Sequence, residues 1–270
     1  MTSSAHIKSV FINLRWQRQL RQRFDRAAGQ YHDLAQAQHR SADDLLTLLA
    51  QQSLPPQSCL ADIGCGTGYL LQALVEQQNP SITSHLAIDI SSAMLASAGL
   101  QRDNISRLCA DALALPIRGN SLQVVMSNFA LHWSLQPQAA MDELARVLQS
   151  DGLAILAIPV LGSLPGRLAE AQQGEPLQAL ACWQAAAGAA GFSIELQQQL
   201  QYVDYFPDAD AWLMAVRSMG VTARANASNN LRGATYLRAL KARLEQERQA
   251  QGIALRYDVW QCLLRLHHSG

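Results

Sequence analysis

Leu60-Ala61-Asp62-Ile63-Gly64-Cys65-Gly66-Thr67-Gly68 is an apolar run that ends in an acid and then in three glycines at alternate positions. A second apolar run, Leu86-Ala87-Ile88, closes on Asp89, 21 residues past the last glycine. This pairing predicts a strand, a glycine-rich turn, a helix and a second strand with an acid at its tip. Each glycine has a physical reason. A tight turn from strand into helix needs backbone angles that a Cβ disfavours, and a ligand must come close to the main chain. The following helix points its N-terminal amides at that ligand. An acid at the tip of the second strand accepts hydrogen bonds from ribose hydroxyls. The arrangement is that of a chain holding an adenosine-containing cofactor.

Two cofactor classes use the design. Dinucleotide binders favour G-x-G-x-x-G, whose third glycine lets helix and strand pack. Counting from Gly64, that position is Tyr69, so this fingerprint fails. The pattern present is acid-x-G-x-G-x-G, the motif of class I S-adenosylmethionine (SAM) methyltransferases. SAM carries a sulfonium and no phosphate, so its site needs an acid and close backbone more than an anion nest.

Composition fits a soluble enzyme. With 270 residues, 49% of them apolar, the chain can bury one large α/β core. Formal net charge is zero, which lacks the basic balance of a nucleic-acid binder. Only Lys8 and Lys241 among 21 basic residues are lysines. The five cysteines show no C-x-x-C spacing and read as reduced thiols of a cytoplasmic protein, with no metal site. No stretch approaches 18 consecutive apolar residues, so no membrane span is expected. Five arginines lie between 15 and 26 with Asp25 as the sole acid. That start imitates a mitochondrial presequence, but an amphipathic helix of the mature protein is the preferred reading.

Periodicity along the chain alternates strands with helices. Strands are expected at 59–63, 86–90, 105–110, 122–127, 153–160, 192–206 and 255–266, and helices at 41–51, 69–78, 137–149 and 179–190. Ser91-Ser92 starts a further helix. Crossovers of this length imply a doubly wound, seven-stranded, mostly parallel sheet with helices on both faces, Rossmann-like in outline. Residues 1–40 are expected as a helical arm and lid, 41–206 as the SAM-binding core, 207–252 as a substrate-recognition insert of two helices joined by the polar link at 225–230, and 253–270 as the last strand and tail. Arg217, Arg224, Arg232, Arg238, Lys241, Arg243 and Arg248 face Asp208, Asp210, Glu245 and Glu247 within the insert, a surplus of three positive charges. Either this patch meets an acidic partner or it is a solvated helix face with i,i+4 pairs.

Beyond the glycine turn, the chain resembles the malonyl-acyl-carrier-protein O-methyltransferase family of biotin synthesis over nearly its whole length. The resemblance rests on Phe24-Asp25-Arg26-Ala27-Ala28 with Tyr31, the stretch 38–46, and Asn128-Phe129-Ala130-Leu131-His132-Trp133. It continues through Glu143-Leu144-Ala145-Arg146-Val147-Leu148, Gly162-Ser163-Leu164-Pro165 and Arg217-Ser218-Met219-Gly220-Val221-Thr222. It implies methyl transfer from SAM to the free carboxylate of a malonyl thioester on acyl carrier protein, or on coenzyme A, which presents the same arm. The ester so formed passes through fatty-acid elongation toward a pimeloyl precursor.

A malonyl carboxylate is ionised at neutral pH, with an ordinary pKa of roughly 3 to 4. It needs alignment and dehydration, not a strong base. A cation to hold it is therefore expected, with Arg217 the first candidate and Arg146 the second. For Arg146 the alternative is a helix residue bonding a carbonyl or a neighbouring acid. Asp62 is expected to take the cofactor amino group. Gly64, Gly66 and Gly68 should line its methionine part, and Asp89 should take the ribose. Asp111 and Ala112 resemble the adenine contacts, and Ser127 and Asn128 end the strand on the methyl-donor side. Tyr31 either closes over SAM or packs on the core. His132 is either a base or a satisfied histidine beside Trp133. The rival readings are a SAM methyltransferase for another small acid or a phenol, and a SAM-binding assembly or hydroxylase-type protein that transfers no methyl.

Overall fold

A computed structural model describes residues 16–29, 35–100, 102–163, 177–218 and 231–267; for 217, 218, 231–234 and 236 it describes the backbone alone. One seven-stranded sheet organises the chain: β1 (Ser58–Ile63), β2 (Ile82–Asp89), β3 (Ile105–Cys109), β4 (Leu122–Asn128), β5 (Leu148–Pro159), β6 (Phe192–Phe206) and β7 (Ile253–Leu266). Their order is β3-β2-β1-β4-β5-β7-β6. The first five run parallel, while β7 enters antiparallel between β5 and β6. The strand order reverses beside β1, between β2 and β4. In open α/β sheets that is where the carboxyl ends of the strands splay and ligands bind.

Helix α1 spans 16–27. It is followed by α2 (Gln36–Ala50), α3 (Tyr69–Glu76), α4 (Ser92–Ser97), α5 (Pro137–Val147), α6 (Leu180–Ala189), α7 (Ala209–Ser218) and α8 (Leu231–Gln246). One core packs Leu45, Leu49, Leu71, Trp212 and Val216 against one face of the sheet. The other face carries Ile63, Val125, Leu144, Trp183 and Trp260. Strands buried on both sides are near-continuous apolar runs for this reason.

The two insert helices α7 and α8 stand where expected, and the link 225–230 lies outside the described residues. Trp212, fully buried, pins α7 to the sheet by donating its indole N–H to the Ala254 carbonyl at 3.1 Å. Two boundaries differ most from expectation, each by five residues. Helix α2 begins at Gln36, five residues early, because Asp204 of β6 accepts the Ala37 amide at 3.2 Å and pairs with Arg40 at 2.8 Å. A carboxylate from 167 residues away does the work of a local cap. Strand β5 begins at Leu148, where a helix was expected to continue to 149. Leu148 is fully buried and pairs with Leu122, and an irregularity accommodates Asp151 at φ 63°. No helix among the described residues is long and apolar enough to cross a membrane.

Candidate active site

The carboxyl ends of β1, β2 and β4 open into a cavity of about 1180 Å3, counting its mouth. The glycine turn forms its floor. Gly64, Gly66 and Gly68 all hold left-handed backbone angles, at φ 74°, 54° and 80°. A Cβ at Gly64 would collide with the Cβ of Ala130 in the loop after β4, and one at Gly68 would come within 2.8 Å of Leu100. Conformation thus favours glycine at all three positions, and space requires it at Gly64 and Gly68. Tyr69, which occupies the position of the third dinucleotide glycine, lines the cavity, stacks on His39 at 4.0 Å and donates its hydroxyl to Asp43 at 3.0 Å.

Three acids face this space. Asp62 is almost fully buried, and neither carboxylate oxygen has a hydrogen-bond partner among the described residues. Burial, and then the charge of Asp89, push its pKa up to about 8. An unpaired buried carboxylate is costly and calls for a cationic or hydrogen-bond-donating occupant. Asp89 differs. Its oxygens accept the Gly66 amide at 2.9 Å and the Ser91 amide at 2.8 Å, so it braces the turn as well as lining the cavity. Desolvation still raises it to about 6, opposed by those amides. Asp111 accepts the Leu113 amide at 3.0 Å and a hydrogen bond from the Gln17 side chain. Ala112 lines the cavity beside it.

The far wall comes from β4 and α2. Asn128 lines the cavity but commits its amide group to α2, donating to the Gln38 carbonyl at 2.8 Å and accepting from the Ser41 hydroxyl at 2.8 Å. Ser127 lies beneath, buried, with its hydroxyl donated to the Ile63 carbonyl at 2.7 Å. It ties β4 to β1 and is not among the lining residues. His132 is also away from the cavity. It is buried against Trp133, with ring centroids 4.7 Å apart, and burial pushes its pKa down to about 3.

A helical arm or lid is expected over 1–40, but of its side chains only Tyr31 is expected at the site. Helix α1 places Trp16, Gln17, Leu20 and Phe24 over the cavity. The Trp16 indole donates to the Trp133 carbonyl at 2.9 Å, Phe24 meets Trp133 edge-on at 5.7 Å, and Asp25 accepts the Ser91 hydroxyl at 2.6 Å. Trp16, Leu20 and Phe24 recur every four residues, a helical signal present in the sequence.

The two expected cations fare differently. Arg146 is not brought to the cavity. Its guanidinium pairs with Glu143 at 2.7 Å and donates to the Ile117 and Leu115 carbonyls, each at 2.9 Å. Those bonds fasten α5 to the segment ahead of β4. Arg217 sits near the end of α7, and its side chain lies outside the described residues, as does Tyr31. Among the described lining residues there is no lysine or arginine, and His39 is the one group able to carry positive charge.

A family model described as a methyltransferase domain matches residues 61–156. The malonyl-[acyl-carrier protein] O-methyltransferase of Alcanivorax borkumensis is 36% identical over 248 residues, spanning 88% of this chain and 82% of its own length. The chain belongs to the malonyl-[acyl-carrier protein] O-methyltransferase family. Solved structures share its fold at lower identity. The Haloferax volcanii protein bound to the Trm112 methyltransferase activator aligns over 93% of this chain and 99% of its own, with TM-score 0.60 and 20% identity. Phosphoethanolamine N-methyltransferase 2 of Haemonchus contortus, solved in complex with SAM, aligns over 84% of this chain and 53% of its own, with TM-score 0.52 and 17% identity.

Membership in this family makes SAM the cofactor, and the cavity fits it. An unpaired buried Asp62 suits the amino group of its methionine portion, the glycine turn leaves room for close approach, and Asp89 and Asp111 line the same cavity. SAM supplies an electrophilic methyl group.

Proposed function

We propose that this chain methylates the free carboxylate of a malonyl group held as a thioester on acyl carrier protein, giving the methyl ester. The observation that carries the reading is the kinship with the Alcanivorax borkumensis enzyme across 88% of the chain, a span that takes in far more than the glycine turn.

The site's chemistry agrees with a carboxylate acceptor. Such an acceptor is already ionised and requires no deprotonation. His132, the obvious base in the sequence, is buried off the cavity and has a pKa near 3. A phenol acceptor would leave the chain needing that base. What the residues must do instead is orient the donor, exclude water and hold the acceptor. Asp62 holds the amino group, the turn at Gly64, Gly66 and Gly68 admits the methionine portion, and Asp89, Asp111 and Ala112 take the nucleoside. Ser127 acts through Ile63 by fixing the depth of β4 against β1. Helix α1 roofs the site, and Tyr31 follows it in the chain as a further closing group. Arg217 of the insert holds the acceptor carboxylate.

The test is a comparison of two carrier-bound acyl groups. With SAM, malonyl-carrier protein should be methylated, whereas acetyl-carrier protein, which lacks the free carboxylate, should not. Methylation of both, or of neither, refutes the proposal.

A further inference from the structure

The roof helix has a second face. At 3.6 residues per turn, Trp16, Leu20 and Phe24 point into the cavity, while Arg18, Gln22 and Arg26 stack one above another on the other side with Arg21 alongside. All three arginines are exposed. Arg18 and Arg26 have no carboxylate within ion-pair distance among the described residues, and Arg21 reaches only Asp25, at 3.8 Å. Asp25 is itself engaged by Ser91.

The insert, with its surplus of three positive charges, is different. Lys241 pairs with Asp210, Arg243 with Glu247 at 3.1 Å and Arg248 with Glu245 at 2.6 Å. Its described cations are largely neutralised by their own helices. Among the described residues, α1 both lines the cavity and carries exposed arginines that lack a close ion pair.

We propose that the outer face of α1, through Arg18, Arg21 and Arg26, is the docking surface for an acidic protein that presents the malonyl thioester on a flexible arm. The proposal rests on the functional reading above and adds where the carrier sits. Three observations support it. The chain is neutral overall, so attraction of an acidic partner must come from a local patch. Arginine forks match carboxylates, and from Arg18 to Arg26 the helix rises about 12 Å, the length of a two-turn acidic helix. The opposite face of the same helix lines the cavity, so a partner bound there stands at the rim its tethered group must cross. A polynucleotide is disfavoured by the neutral balance, with a pI of about 7.0.

The test uses the full-length chain carrying Arg18→Glu and Arg26→Glu together, assayed with malonyl-carrier protein and with malonyl-pantetheine. For the carrier substrate KM should rise about tenfold or more, with kcat unchanged. For malonyl-pantetheine KM should stay at the wild-type value, and so should the Kd for SAM. Raising salt from roughly 50 to 300 mM should weaken carrier use by the wild type and hardly affect the variant. Arg18→Lys with Arg26→Lys should retain most of the wild-type KM. An unchanged carrier KM overturns the proposal, as does an equal rise for both thioesters or a fall in SAM affinity. A rise in carrier KM for Arg238→Glu but not for the arm variant assigns docking to the insert. Arginine-dependent binding of duplex DNA or anionic vesicles, with no effect on the carrier, assigns the face to a polyanion. Wild-type protein that methylates pantetheine and carrier thioesters equally well removes the docking surface alone, whereas methylation of neither removes the functional reading beneath it.

Discussion

Asp25 of the roof helix accepts the Ser91 hydroxyl at 2.6 Å, and the same Ser91 oxygen accepts the Met94 amide at the start of α4. One serine thus caps a helix and anchors the arm to the tip of β2, where Asp89 lies. The closure of the cavity depends on this anchor together with the Trp16–Trp133 and Gln17–Asp111 hydrogen bonds. Asp25→Ala is expected to remove about 1 to 2 kcal/mol from arm closure and weaken SAM binding roughly three- to tenfold, with the melting temperature little changed. Titration calorimetry checks the affinity, and limited proteolysis checks whether the arm has loosened.

Gly64→Ala should abolish SAM binding and destabilise the fold. The new Cβ meets Ala130, and φ 74° is strained for alanine, so the combined cost is about 2 to 5 kcal/mol. Gly188→Ala is the control. It lies in α6 with nothing within 4 Å of a new Cβ, and alanine should stabilise it by about 0.5 to 1 kcal/mol. Thermal melts of the two variants should therefore shift in opposite directions.

Burial raises Asp62 to about 8, against about 3.9 for an unfolded carboxyl. Between these values the folded chain binds a proton that the unfolded chain has released. The stabilisation this gives is complete below about pH 4 and is lost as pH climbs through about 8. Asp89, raised to about 6, adds an effect of the same sign at lower pH. The ligand-free protein should melt at lower temperature as pH goes from about 5 to 9, and Asp62→Asn should flatten much of that slope. A bound cation favours the carboxylate instead, so SAM affinity should rise with pH up to about 8. Flat affinity across that window would mean that Asp62 does not meet the cationic group.

Arg146→Ala separates anchoring from catalysis. Its bonds to Glu143, Ile117 and Leu115 lie off the cavity and are partly exposed, so the expected cost is about 1 kcal/mol of stability. The KM for the malonyl substrate should remain that of wild type. Arg217→Ala should instead raise that KM or lower kcat at least about tenfold, with SAM affinity intact.

The sheet was readable because its signals are local. Strand β6 spans the residues expected for it, and the glycine turn declares its own geometry. Ser91, with a helix beginning directly after it, likewise announced a cap. What escaped reading depends on partners distant in the chain. Helix α2 starts early because of Asp204, and Ser127 serves Ile63 across two strands. For Arg146 the sequence left two readings open, and Glu143 with carbonyls about 30 residues away decides for the anchoring one. Asp89 was expected to serve a ribose, and its grip on the Gly66 and Ser91 amides appears only once β1 and β2 lie side by side. The arm was expected as a helix and lid, but its cavity-facing side chains were not picked out, for a different reason. Its arginine content drew attention to charge, while the cavity-facing row of Trp16, Leu20 and Phe24 carried the structural message.

The central claim is that the methyl group reaches a carboxylate oxygen without help from a base. It is tested most directly by incubating the protein with methyl-labelled SAM and malonyl-carrier protein, then treating the product with mild alkali. Label released as methanol, at a rate of formation unchanged in His132→Gln, is the predicted result. Label that stays on the protein through alkali, or its loss in His132→Gln while SAM still binds, would contradict it.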